Sequence, residues 1–209
     1  MRPFLVYLIT DPTRDPVAIV RAALEAAAPG EVGVMARDKR APPRELAALA
    51  RALLPICRAR GAALLVNDRC DIAHAVGADG AHLPERGLAV ADARAVLGPA
   101  ARIGVSRHGP GSASGADLVT LGPVGAVPGK GPPMGVEGFA EAAASYGPLP
   151  VYALGGVDAE VAPDLCAAGA SGIAVVRAVC ASPDPAASLG RLIERARAAL
   201  CAPRCGGLG

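Results

Sequence analysis

Short β-branched and leucine-rich runs alternate along the whole chain with longer Ala/Leu/Arg segments whose apolar positions recur at helical spacing. The runs predict eight strands, at Leu5–Thr10, Val32–Arg37, Ala63–Asn67, Asp79–Leu83, Arg102–Val105, Asp117–Gly122, Val151–Gly155 and Gly172–Val176. The helices between them carry their own punctuation. Asp15-Pro16, Pro42-Pro43 and Asp184-Pro185 put Pro at helix starts, where its missing N–H costs nothing, and Gly61, Gly98 and Gly169 close three helices. In the last helix Leu189, Leu192, Ile193, Ala196 and Leu200 share one face, which predicts a face packed on the sheet. Pro55 interrupts the second helix and predicts a kink or break there.

Eight βα units in a chain of 209 residues predict an α/β fold, a (β/α)8 TIM barrel of one domain over residues 1–200, with 201–209 as a disordered C-terminal tail. A doubly wound sheet is the weaker alternative, because no GxGxxG follows the first strand. Between Val105 and Asp117 the chain is too short for a full crossover and contains Gly109-Pro110-Gly111, so the fifth helix is expected to be shortened or absent. The wall there would be thinly covered, which points to a contact between two copies, a homodimer.

Composition narrows the function. The chain is 52% hydrophobic yet has only two Phe, three Tyr and no Trp, which argues against base stacking as a binding mode. A net charge of +2, with its densest basic cluster at Arg37-Asp38-Lys39-Arg40, excludes a polyanion partner, so no nucleic acid is expected. The longest apolar stretch, Leu165–Val176, falls short of the ~20 residues that span a bilayer, so no membrane partner is expected. With no secretory leader pattern and with six scattered Cys read as reduced thiols, the expected location is the cytoplasm.

In a barrel of this kind chemistry sits at the C-terminal ends of the strands. Arg37 and Lys39 are two apart at a strand end and leave the same face as Gly33 and Met35; they suit a diphosphate, or else form a solvated turn. Asn67 and Asp68 arrive beside them, where the carboxylate would suit Mg²⁺ completed by substrate phosphates, an ordinary helix cap being the alternative. Gly155-Gly156 and the run Gly172–Val176 end strands seven and eight, a usual phosphate cradle. The Gly/Pro-rich stretch 122–135 carries a single cation, Lys130, and reads as a functional loop or as a mobile, solvated one. His82 lies within a strand and reads as a hydrogen-bonded barrel residue, His74 as a helix-surface residue, and His108 stays open. Cys201 and Cys205 have neither a second pair nor a nearby His, so they do not read as a metal site.

Taken together, MARDK at 35–39, VNDR at 66–69, GADGAHL at 77–83, GVSRH at 104–108, LGPV at 121–124, Lys130, ALGGV at 153–157 and GASGIAVV at 169–176 resemble the thiamine phosphate synthase and thiazole tautomerase superfamily, in register along nearly the whole chain. The resemblance is closest to a divergent thiamine phosphate synthase. It implies a Mg²⁺-assisted transferase of thiamine biosynthesis that joins hydroxymethylpyrimidine diphosphate to a thiazole phosphate and releases diphosphate. It further implies small-molecule phosphate and diphosphate substrates. By position, Arg37, Lys39 and Asn67 would hold the diphosphate, Lys130 the departing anion, and Asp68 the metal with Glu85 as a stand-in second carboxylate. Ser106 would contact substrate and His82 would join the substrate- and phosphate-binding residues, while Gly155, Gly156, Val176 and Arg177 would supply the thiazole phosphate site. The chain departs from the family pattern at Met35, Gly87, Val127 and Gly129, and Pro123 stands where the tautomerase relatives carry His. Those departures motivate two alternatives: a non-catalytic paralogue that binds a phosphate ester or thiamine phosphate, and a tautomerase-like isomerase.

Overall fold

A computed structural model describes residues 3–202. Eight parallel strands, β1 (Val6–Ile9), β2 (Val32–Ala36), β3 (Ala63–Asn67), β4 (Gly80–Leu83), β5 (Arg102–Arg107), β6 (Leu118–Leu121), β7 (Val151–Leu154) and β8 (Gly172–Val175), pair in chain order and close on themselves. Each predicted strand is present, with its ends displaced by no more than two residues. The fold is the (β/α)8 barrel in a single domain.

Strand parity divides the apolar residues into two cores. Outward-facing Leu8, Val34, Val66, Ile103, Val119 and Ile173 join the helices in the large cluster. Inward-facing Tyr7, Ile9, Met35, Leu65, Leu118, Tyr152 and Ala174 form a second cluster inside the cylinder with Phe4. Three of the chain's five aromatic residues meet there, the Phe4, Tyr7 and Tyr152 rings lying 5.7 to 6.0 Å apart. Gly33 admits the plug, since a Cβ on it would lie 2.4 Å from the Phe4 ring.

The helices start and stop as the sequence punctuates them. α1 (Pro16–Ala23) is capped by Asp15, whose carboxylate accepts the Val17 and Ala18 amides, and α8 (Pro185–Cys201) by Asp184, which accepts the Ala187 amide. The predicted face of α8 is buried at Leu189, Leu192, Ile193 and Ala196, with Leu200 half-buried. α3 (Cys70–Val76), α4 (Val90–Leu97), α5 (Gly135–Ala144), α6 (Ala162–Ala167) and the single turn α7 (Arg177–Cys180) complete the set.

α2 (Pro43–Ala59) runs through Pro55 without a break, and Pro55 and Arg51, whose carbonyl loses its helical bond, both lie on the exposed side. One expectation needs correction. The chain does pass from β5 to β6 without a helix, as expected, but the wall is not thinly covered. Ile103, Val105, Val119 and Leu121 are all buried, with Ala113 and Ala116 of the connecting segment packed into the same core. Tyr146, just beyond α5, donates to the Gly109 carbonyl, and Ser145 Oγ accepts the Gly111 amide, strapping the segment down. The argument for a subunit contact at that wall therefore lapses. Cys205 and most of the 201–209 tail lie outside the described residues; Cys201 is the last residue of α8, and Cys57, Cys70, Cys166 and Cys180 are buried free thiols.

Candidate active site

Arg37 follows the last residue of β2, and its backbone is held from the neighbouring strand. Buried Thr10 accepts the Arg37 amide at 2.8 Å and donates to the Arg37 carbonyl at 3.1 Å. Asp38 Oδ1 accepts the Arg40 and Ala41 amides and makes the turn, so Arg37 and Lys39 are the residues of this segment that line a cavity of about 700 Å³ at the barrel mouth. Lys130, from the 122–135 loop, lines the same cavity. The base of that loop is closed by the Met134 and Gly135 amides donating to the Pro123 and Val124 carbonyls.

The cations feel one another. Arg37, burial and Lys130 together hold the Lys39 ammonium below its usual pKa, and burial depresses the Arg37 guanidinium. Among the described residues none of the three forms an ion pair. Converging, unpaired cations, of which Arg37 is partly desolvated, offer an anion several bonds at once.

Asn67 ends β3 and lines the cavity; Asp68 follows with φ 66° and donates its amide to the His82 carbonyl at 2.8 Å. A left-handed conformation in a residue other than Gly is a strained position that structure elsewhere must hold. The exposed Asp68 carboxylate is not on the cavity wall, but its charge acts on Lys39. Glu85 lines the cavity with His108, whose Nδ1 lies 2.9 Å from its carboxylate, and that bond pulls the Glu85 pKa down.

Beneath this rim lies a polar cluster. His82 is completely buried and does not reach the cavity itself. Its Nε2 lies 3.1 Å from both Ser106 Oγ and Thr120 Oγ1, and its Nδ1 is 3.4 Å from Tyr7 Oη. Burial, reinforced by Arg37, pushes the imidazole pKa down to about 3, so the ring is neutral. Ser106 and Thr120 carry the cluster to the cavity wall. The cavity's deep wall is apolar, built by Ile9, Met35, Leu154 and Ala174, which suits a heterocycle.

Across the mouth from β2, Gly155 and Gly156 take φ 92° and 65°, and the Leu154 and Gly155 carbonyls accept the Val124 and Gly125 amides. The contact is close: a Cβ on Gly156 would stand 2.7 Å from the Gly125 backbone. Val176 and Arg177 line the cavity beside this turn, and the Gly155, Gly156 and Arg177 amides bond to no acceptor among the described residues.

The structure thus gathers Arg37, Lys39, Asn67, Glu85, Ser106, Lys130, Gly155, Gly156, Val176 and Arg177 on one cavity and leaves His82 and Asp68 off its wall. Sequence reasoning missed Thr120 and left His108 undecided. Thr120 had a signal, because it is a polar residue sharing its strand face with Leu118 and Gly122.

The family model described as Thiamine monophosphate synthase matches residues 6–179. A Thiamine-phosphate synthase from Azorhizobium caulinodans is 42% identical, covering 92% of this chain and 96% of its own length. Another of that name, from Salinispora arenicola, is 40% identical over 90% of this chain and 95% of its own. Among solved structures, thiamine phosphate pyrophosphorylase from Pyrococcus furiosus superposes with a TM-score of 0.82 at 31% identity, covering 93% of this chain and 96% of that one.

Proposed function

We propose the chemistry of this site from one premise: the chain belongs to the thiamine monophosphate synthase family. It is a transferase of thiamine biosynthesis that joins hydroxymethylpyrimidine diphosphate to thiazole phosphate with release of diphosphate. The observation that carries this reading is the convergence of Arg37, Lys39 and Lys130 on a cavity whose far side is the Gly155-Gly156 turn.

In the reaction the bond between the pyrimidine methylene carbon and the diphosphate oxygen breaks, the oxygen keeping the electron pair. The thiazole nitrogen lone pair then forms the new C–N bond. No proton need move, and no titrating nucleophile is required. Arg37, Lys39 and Lys130 neutralise the charge that grows on the leaving group, where transition-state stabilisation is worth most. Asn67 adds a donor to the same phosphates. Ser106, held by neutral His82, meets the heterocycle without introducing charge beside a forming cation. Amides of Gly155, Gly156 and Arg177 hold the thiazole phosphate.

Among the described residues no group of three His, Cys, Asp or Glu converges as a metal site. The residues nonetheless suit Mg²⁺, which uses one or two carboxylates and completes its shell with phosphate oxygens and water. Asp68 would hold it, and Glu85 would join only with its His108 bond opened. When bound, Mg²⁺ supplies further charge neutralisation at the diphosphate. No helix among the described residues is long and apolar enough to cross a membrane, and the buried free thiols suit the cytoplasm.

The test is diphosphate release measured with each substrate alone and with both. Release that requires both substrates and Mg²⁺ is the expected result, and silence under those conditions, alongside tight thiamine phosphate binding, would make the protein a non-catalytic binder.

A further inference from the structure

The barrel has a second cavity, of about 510 Å³, at the opposite end of the strands. Arg102, the first residue of β5, is half-buried there with its guanidinium 4.5 Å above the Phe4 ring. Among the described residues it forms no ion pair. The carboxylates whose charge reaches it are committed elsewhere. Asp117 Oδ2 accepts from Arg94 at 2.9 Å and from the Ile103 amide at 2.7 Å, while Asp79 Oδ2 accepts the Leu64 amide at 2.7 Å. Tyr152 does not compete for the cation's partner either, since its hydroxyl accepts the Phe4 amide and donates to the Phe4 carbonyl. No buried side-chain polar atom in the described chain lacks a partner, so the Arg102 nitrogens, which bond to no acceptor among the described residues, reach solvent, and the residue lines this cavity.

A partly desolvated cation facing open volume is an anion site in waiting, and the other walls decide which anion. Phe4, Leu118, Leu149 and Pro150 are apolar, and Ser171 offers one hydroxyl. Asp117 also borders the cavity, which disfavours a multiply charged guest although Arg94 neutralises it. Among the described residues Arg102 is the one cation on the cavity wall, where a phosphate or diphosphate would need several. We infer that this end of the barrel binds a small monoanionic carboxylate with an apolar, preferably aromatic, body, its carboxylate on Arg102 and its ring against the partly exposed Leu149 and Pro150. This site is separate from the transferase cavity and is independent of the reading given to that cavity.

The probe is sodium benzoate, titrated calorimetrically into the full chain with inorganic diphosphate and Mg²⁺ present to occupy the mouth. One saturable event is expected, with Kd of order 1 mM as suits so small a ligand, and unchanged when diphosphate is left out. Arg102→Gln should weaken binding at least tenfold, and benzyl alcohol, the same ring without charge, should bind at least tenfold more weakly than benzoate. Ser171→Phe, which keeps the cation but fills the cavity, should abolish binding, and it carries the test if Arg102→Gln does not fold. No saturation by about 10 mM, competition with diphosphate, or unaltered binding in either folded variant would overturn the proposal. Diphosphate release from the two substrates is scored separately, so failure here leaves the transferase reading standing, and the reverse.

Discussion

At the mouth, Arg37, Lys39 and Lys130 crowd one cavity with no carboxylate among the described residues paired to any of them, while at the opposite end Arg102 lies on an aromatic ring and the Phe4, Tyr7 and Tyr152 rings fill the cylinder. The difference separates two kinds of expenditure in one fold. Positive charges held together without counter-ions lower stability until a ligand arrives, and packed rings raise stability whether or not one does. Changes at the two ends should therefore move different observables.

The largest effect is expected at the plugged end. Phe4→Ala removes a buried ring and should cost about 3–5 kcal/mol in denaturant unfolding, with diphosphate release per folded molecule preserved. A cost below about 1 kcal/mol would break the contrast. Next, Arg37→Ala should weaken inorganic diphosphate binding by about 1.5–3 kcal/mol in calorimetry. Unfolding stability should move by less than about 1 kcal/mol, because the lost contacts are offset by relief of repulsion with Lys39.

The polar cluster between the ends sharpens the contrast through pH. The folded pKa of His82, about 3, lies below the ordinary value of 6.5, so the unfolded chain binds the extra proton first. The contribution is fully present above pH 6.5 and is lost as pH falls toward 3, with a slope of at most about 1.4 kcal/mol per pH unit. His82→Gln should remove that component from the pH dependence of the unfolding midpoint, and an unaltered slope would place its origin elsewhere. The smallest effect belongs to Asp68→Gly. Relief of the left-handed backbone should change stability by less than about 1 kcal/mol, while Mg²⁺-dependent diphosphate release falls sharply.

Much of this was legible in the chain itself, and the reason is parity. Period-two alternation in β2 sets Met35 inside and Val34 outside, and carrying it onward puts Arg37 and Lys39 over the mouth. The missing helix between β5 and β6 was equally plain, since too few residues were available. What resisted reading depends on neighbours distant in sequence. The bond between Glu85 and His108 joins the ends of β4 and β5, the Thr10 clamp on Arg37 joins β1 to β2, and Arg102 meets Phe4 only because the cylinder closes. Whether Pro55 breaks α2 depends on the packing of its exposed face, which a local pattern does not disclose.

His82 Nε2 stands equidistant from two hydroxyls, and those hydroxyls also bond each other at 3.3 Å. One partner of the imidazole is thus held in reserve. Were Ser106 to turn toward a heterocycle in the proposed reaction, Thr120 would keep the ring nitrogen satisfied. A serine bound by a single contact would leave the imidazole unpartnered on turning away; here a second hydroxyl stands at the same distance to replace it.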